Sequence, residues 1–130
     1  MAFSKIKVSF ESNVQKVWEI VTSLKNYGWR SDLDKIELLN DKQFVEYTKA
    51  GYPTNFTVTS VEPYKRWEFD MENDNMKGHW TGIFRSDGER TEIEFTEEVT
   101  AKKVIMKPFV KAYLKKQQAQ YVKDLKKALI

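Results

Sequence analysis

Between Lys5 and Phe10 apolar and polar residues alternate, with Ile6, Val8 and Phe10 on one face and Lys5, Lys7 and Ser9 on the other. A period of two is that of a half-buried strand. In "SNVQKVWEIVTSL" the period changes. Val14, Val17, Trp18 and Val21 recur at helical spacing, and Ser12 or Asn13 can cap the start. "KNYGWRSDL" then reads as a loop or short helix, punctuated by Gly28 and closed by Asp32.

From Asp34 to Thr100 strand signals follow one another. "KIELLN" and "QFVEYTKA" flank a tight polar "DK", and "YPTNFTVTSVEP" is rich in β-branched residues before Pro63. "RWEFDM" alternates strictly, placing Trp67, Phe69 and Met71 opposite Glu68, Asp70 and Glu72. "ENDN" turns the chain, "KGHWTGIFR" returns it, and "SDGE" supplies a second turn with glycine at a position suited to positive φ. "RTEIEFTEEV" alternates again, with Ile93 and Phe95 against Glu92, Glu94 and Thr96.

Beyond Val104 the pattern predicts one long amphipathic helix, with Pro108 tolerated in its first turn. Met106, Val110, Tyr113, Leu114, Gln117, Tyr121, Leu125 and Ala128 share one face, and six lysines crowd the other. Sequential strands joined by short turns make an antiparallel sheet. Its apolar face, carrying Trp67, Phe69 and Phe95, needs a cover, and only the terminal helix is long enough to supply one. The expectation is a single α+β domain over residues 1–130, with about seven strands in the order β-α-α-β6-α, the second, short helix falling in the break after the first.

Composition narrows the class. At 130 residues with 41% hydrophobic side chains, the chain suits one domain with a real core. The absence of cysteine excludes disulfides and thiolate metal or redox sites. The start of the chain does not resemble a secretory signal, and no apolar run approaches a membrane span, so a cytoplasmic location is expected by elimination. The net charge of +3 conceals an asymmetry. Residues 1–100 hold 13 Lys and Arg against 18 Asp and Glu, whereas residues 101–130 hold nine lysines against Asp124 alone.

Candidate chemistry is sparse. The one histidine, His79, neighbours Trp80 and so lies on the opposite face of its strand. No second histidine and no cysteine can complete a usual zinc site, and no serine carries a nucleophile motif around it. Neither a metal nor a cofactor is implied. Glu68, Asp70, Glu72, Glu92 and Glu94 read as a solvated sheet exterior. Glu97 continues the phase of Ile93 and Phe95, so it is a candidate for an inward acid. The lysine face of the terminal helix reads as solvated. Nucleic-acid binding is not expected, because the aromatics that would stack on bases lie on buried faces. Stable membrane anchoring is not expected either; weak attraction to an anionic membrane is the alternative.

"SNVQKVWEIVTSLKNYGWRSDL" and "GHWTGIFRSDGERTEIEFTEEV", followed by the long helix, resemble the SRPBCC superfamily: START-like lipid-transfer domains, the birch-pollen-allergen fold and bacterial polyketide cyclase/dehydrase proteins. The resemblance spans nearly the whole chain and implies a helix-grip fold, a curved sheet wrapped around the terminal helix with a cavity between them. The aromatic stripe would then be partly core and partly cavity wall. The implied walls are Trp67, Phe69, Trp80, Phe84, Phe95, Phe56 and Tyr113, with Gly78 and Gly82 leaving space beside Trp80. Tyr47, Tyr113, Gln117 and Tyr121 would orient a ligand, and Tyr27 and Trp29 would stand at the entrance. The implied partner is a small apolar molecule of lipid, polyketide or aromatic type. Two alternatives stay open: a cyclase or dehydratase using Tyr47, Glu97 or Tyr113, and a protein-interaction module like the co-chaperone activators.

Overall fold

The computed structural model describes residues 1–130. Strand β1 (Ala2–Phe10) leads into helix α1 (Val14–Thr22). Six consecutive strands follow: β2 (Leu33–Leu38), β3 (Gln43–Thr48), β4 (Pro53–Glu62), β5 (Arg66–Glu72), β6 (Met76–Asp87) and β7 (Arg90–Ala101). A 3-10 segment, Val104–Phe109, then runs into helix α2 (Val110–Ala128). Residues 23–32 are turns and bends with no helix, so of the two sequence readings the loop is the right one.

All seven strands form one antiparallel sheet in the order β1-β7-β6-β5-β4-β3-β2. Strands β2 to β7 are a run of hairpins. Only β1 is out of sequence order, pairing with β7 from Ala2↔Val99 to Phe10↔Thr91. Irregularities between Leu33 and Lys35 and between Val58 and Ser60 bend the sheet, as bulges do. The bend gives it a concave side, and the strict alternation of β5 decides what fills that side. Trp67, Phe69 and Met71 are buried, with Trp80 and Phe84 of β6 and Ile93 and Phe95 of β7 beside them.

Two helices cover this face unequally. Helix α1 is capped by Asn13, whose side chain accepts from the Lys16 N–H at 2.9 Å. It buries Val14, Val17, Trp18 and Val21, and Trp18 meets Phe84 edge-on at 4.9 Å. Helix α2 buries Leu114, Gln118, Val122 and Leu125, a stripe at helical spacing. Val122 and Leu125 join the same core as α1. Nearer its N-terminus α2 is tied to β1 instead. Ser4 Oγ donates to Gln118 Oε1 at 2.8 Å, and Gln118 Nε2 donates to the Ser4 carbonyl at 3.3 Å. One end of the concave face is therefore packed solid, and the other is spanned rather than filled.

Candidate functional site

What lies between the sheet and the first half of α2 is a cavity of about 800 Å³, within the range of small-molecule sites. Strand register locates its mouth. Asn55 pairs with Glu72 and Met76 with Ala101, which brings the β3–β4 turn, the β5–β6 turn and the 3-10 segment to one end of the sheet. Leu33 pairs with Thr48, so the loop after α1 arrives there too. Residues from all four, including Trp29, Tyr52, Asn73 and Phe109, line the opening.

The walls are aromatic and interlocked. Phe69 stacks on Trp80 at 4.9 Å, Trp80 leans on Phe95 at 5.2 Å, and Phe56 meets Phe69 edge-on at 5.2 Å. Tyr121 of α2 sits edge-on to both Phe95 and Trp29 at 5.4 Å, closing the opposite side. Such contacts fix ring positions beyond what area burial alone does.

The residues expected from the sequence fall in two places. Trp67, Phe69, Trp80, Phe95, Phe56, Tyr113, Gln117, Trp29 and Tyr27 all line the cavity. Two do not. Phe84 shares the inward phase of Trp80 but lies at the packed end, under Trp18 of α1. Tyr47 points to the other face of β3, where Lys35 Nζ lies 4.7 Å from its ring centroid. The inward residues of β3 are Phe44, Glu46 and Thr48, in the parity that Phe44 sets. The expected empty space beside Gly82 is also absent. The Trp80 ring lies over that glycine, so close that a Cβ there would sit 2.6 Å from Cη2.

A family model described as "Polyketide cyclase / dehydrase and lipid transport" matches residues 4–129. The chain belongs to this family. Solved structures agree with it on the fold. A START superfamily protein from Mycobacterium smegmatis superposes with a TM-score of 0.87 at 15% identity, covering 99% of this chain and 97% of its own. A conserved protein from Geobacillus kaustophilus gives 0.84 at 12% identity, with 98% and 94% covered. DynU16, a putative protein in the dynemicin biosynthetic locus, gives 0.77 at 16% identity, with 99% of this chain and 47% of that one covered. No curated protein matches the sequence. The SRPBCC assignment and the START-like helix-grip architecture are thereby established.

Within this polyketide cyclase and lipid transport fold, the polar groups of the cavity fall into two sets. The first is already satisfied. Arg30 donates through Nε and Nη2 to Asp32 at 3.1 and 2.9 Å, and through Nη1 and Nη2 to Glu46 at 3.4 Å. Its guanidinium also lies over Tyr121, 5.3 Å from the ring centroid. Burial works against the charge on Arg30, but Glu46 and Asp32 more than restore it. Burial pushes Glu46 up against the pull of Arg30. The loop is pinned to α2 as well, since Asp124 accepts from the Ser31 N–H at 2.9 Å and from Ser31 Oγ at 2.8 Å.

The second set is unsatisfied. Trp29 Nε1, Tyr52 Oη and Gln117 Oε1 are buried without a hydrogen-bond partner, a costly state that a bound polar group relieves. Glu97 faces the same hollow from the inward side of β7. Burial pushes its carboxyl up to about 7, against the lowering influence of Gln118 and Arg30. His79 is on the other face of the sheet, held by Asp70 at 2.6 Å and Glu68 at 2.8 Å. Sequence reasoning missed Arg30, Glu46, Tyr52 and Gln118. For Glu46 a signal existed in the parity of Phe44; the others depend on long-range packing.

Proposed function

We propose that this protein binds a small hydrophobic molecule in the cavity and sequesters or carries it. The observation that supports this reading is a hollow of about 800 Å³ with aromatic walls, in which three buried polar atoms lack a partner. Apolar area leaving water contributes roughly 25 cal/mol per Å², and the unsatisfied groups orient the guest. Its polar end is an uncharged carbonyl or hydroxyl. Trp29 Nε1 requires an acceptor, whereas the one deep cation, Arg30, is already engaged by two carboxylates. The ordering experiment is native mass spectrometry of freshly purified protein, followed by displacement of an apolar fluorescent dye. A non-covalent adduct, or a dye displaced by neutral aromatic ketones, supports the carrier reading. Absence of both sinks it.

One observation favours a second reading. Glu97 is a buried carboxyl on the cavity wall, which burial pushes up to about 7, and such a group suits general acid–base chemistry on the bound molecule, as in a cyclase or dehydratase. Glu97→Gln and Tyr113→Phe separate the two. A carrier retains dye and ligand binding in both variants, whereas an enzyme loses about a hundredfold or more of its turnover in at least the first.

A further inference from the structure

Where β7 gives way to α2, large apolar side chains stand in water. Val104, Ile105 and Phe109 are 75%, 77% and 63% exposed. Lys102, Lys103, Lys107 and Lys111 are interspersed with them, and no acidic residue occurs between Glu98 and Asp124. Lys102 bridges Glu72 at 2.7 Å. Lys103, Lys107 and Lys111 form no ion pair. Contiguous exposed apolar surface rimmed by charge marks an interaction site.

The position of this patch is informative. Phe109, with Met106, Val110 and Tyr113 next to it, also lines the cavity, while Val104 and Ile105 do not. The patch is thus the outer lip of the mouth. We propose that the segment Lys103–Lys111 docks the mouth onto an anionic lipid surface, with Val104, Ile105 and Phe109 at the acyl boundary and the three free lysines against the headgroups. Interfacial segments combine these two features, and each lysine near such a surface adds to the attraction. The outer face of the sheet offers no comparable basic patch, since Lys5, Lys7, Arg66 and Arg85 are paired there with Glu94, Glu92 and Glu68.

A second copy of this chain fits the patch less well. Its acidic sheet exterior offers opposite charge, yet Glu68, Glu92 and Glu94 are already bridged by Arg66, Lys7 and Lys5. Meeting lip to lip, two copies would set Lys103, Lys107 and Lys111 of one against those of the other. No helix is long and apolar enough to cross a membrane, so the contact is peripheral and reversible. It stands apart from the ligand reading above and requires no particular guest.

The test is cosedimentation of the full chain with sucrose-loaded vesicles of phosphatidylcholine alone, or of equal parts phosphatidylcholine and phosphatidylglycerol. The expected result is pelleting with the mixed vesicles only, declining as salt is added. Val104→Ser/Ile105→Ser lowers that partition at least about tenfold, and each of Lys103→Gln, Lys107→Gln and Lys111→Gln lowers it about fivefold. Dye binding in the cavity is unchanged by the serine pair, which separates a failure here from a failure of the carrier reading. No pelleting with mixed vesicles, or undiminished pelleting of the serine variant, overturns the proposal. A dimer on sizing that the serine pair dissolves, without vesicle binding, overturns it in favour of a second copy.

Discussion

A buried charge is tolerable only in company, and Arg30 shows the rule at the scale of one residue. Its two carboxylates, Asp32 and Glu46, come from its own loop and from β3. Arg30→Met leaves Glu46 inside the cavity wall without compensation, and about 3–5 kcal/mol of stability is expected to vanish in urea unfolding. Arg30→Met/Glu46→Met should recover most of that loss, since the uncompensated charge goes with it. Glu97 gives a pH dependence. At pH below the ordinary 4.5 its carboxyl is protonated in folded and unfolded chains alike. As pH rises from 4.5 to about 7 only the unfolded chain ionises, so the folded state loses about 3 kcal/mol and then loses no more. Glu97→Gln is expected to abolish this slope in urea titrations across that window. His79 slopes the same way at higher pH. Burial lowers its pKa, but Glu68 and Asp70 raise it above 6.5, so its contribution is full in acid and fades as pH climbs through the raised value. Combining Glu97→Gln with His79→Gln resolves the two. The partnership of Arg30 with Glu46 is not written in local pattern. Arg30 and Glu46 are loop and strand residues of ordinary polarity, and only the closing of the loop over the sheet makes them neighbours.

Elements were far more legible than side-chain partnerships. Period-two alternation located β5 and β7 and assigned their buried faces, and the sequence of hairpins dictated an antiparallel sheet. The terminal helix was foreseen, but its buried stripe is turned. Leu114, Gln118, Val122 and Leu125 face inward, while Tyr113, Gln117 and Tyr121 border the hollow. Hydrophobicity could not reveal this, because Gln118 is buried by a hydrogen-bonded pair with Ser4 at the opposite end of the chain. The start of that helix is likewise a 3-10 segment with no buried residue, although its apolar composition suggested an inward face. Strand β6 carries the sharpest prediction at this scale. Gly82 is there because the Trp80 ring occupies the place of its side chain. Gly82→Ala should displace the indole toward the cavity, costing about 1–3 kcal/mol in urea unfolding and weakening dye binding. In Gly78→Ala the new methyl would meet the Glu98 carbonyl oxygen at 2.7 Å, which is main chain. Relief there requires the strands to part, so the stability loss is expected to exceed that of Gly82→Ala.

For the molecule as a whole, a hollow between sheet and helix means that fold and ligand share one free energy. Any guest that binds only the folded chain adds stability by mass action, about 2.7 kcal/mol at a hundredfold excess over its Kd. The midpoint of thermal unfolding should therefore climb steadily with the concentration of a neutral aromatic ketone, whereas a hydrophilic analogue of equal size leaves it fixed. The same architecture has a consequence for how the chain is made. Phe10 must wait for Thr91, and Ala2 for Val99, before β1 has a partner. On the ribosome the hairpins from β2 to β6 emerge and can close in turn, while the first strand lacks its partner until β7 has followed them. The helix that walls the hollow follows the whole sheet, and the Ser4–Gln118 clasp joins residues 114 positions apart. A chain released after Asp87 would thus hold β2 to β6 without β7 and α2, with its aromatic side bare, the form of this chain most in need of a chaperone.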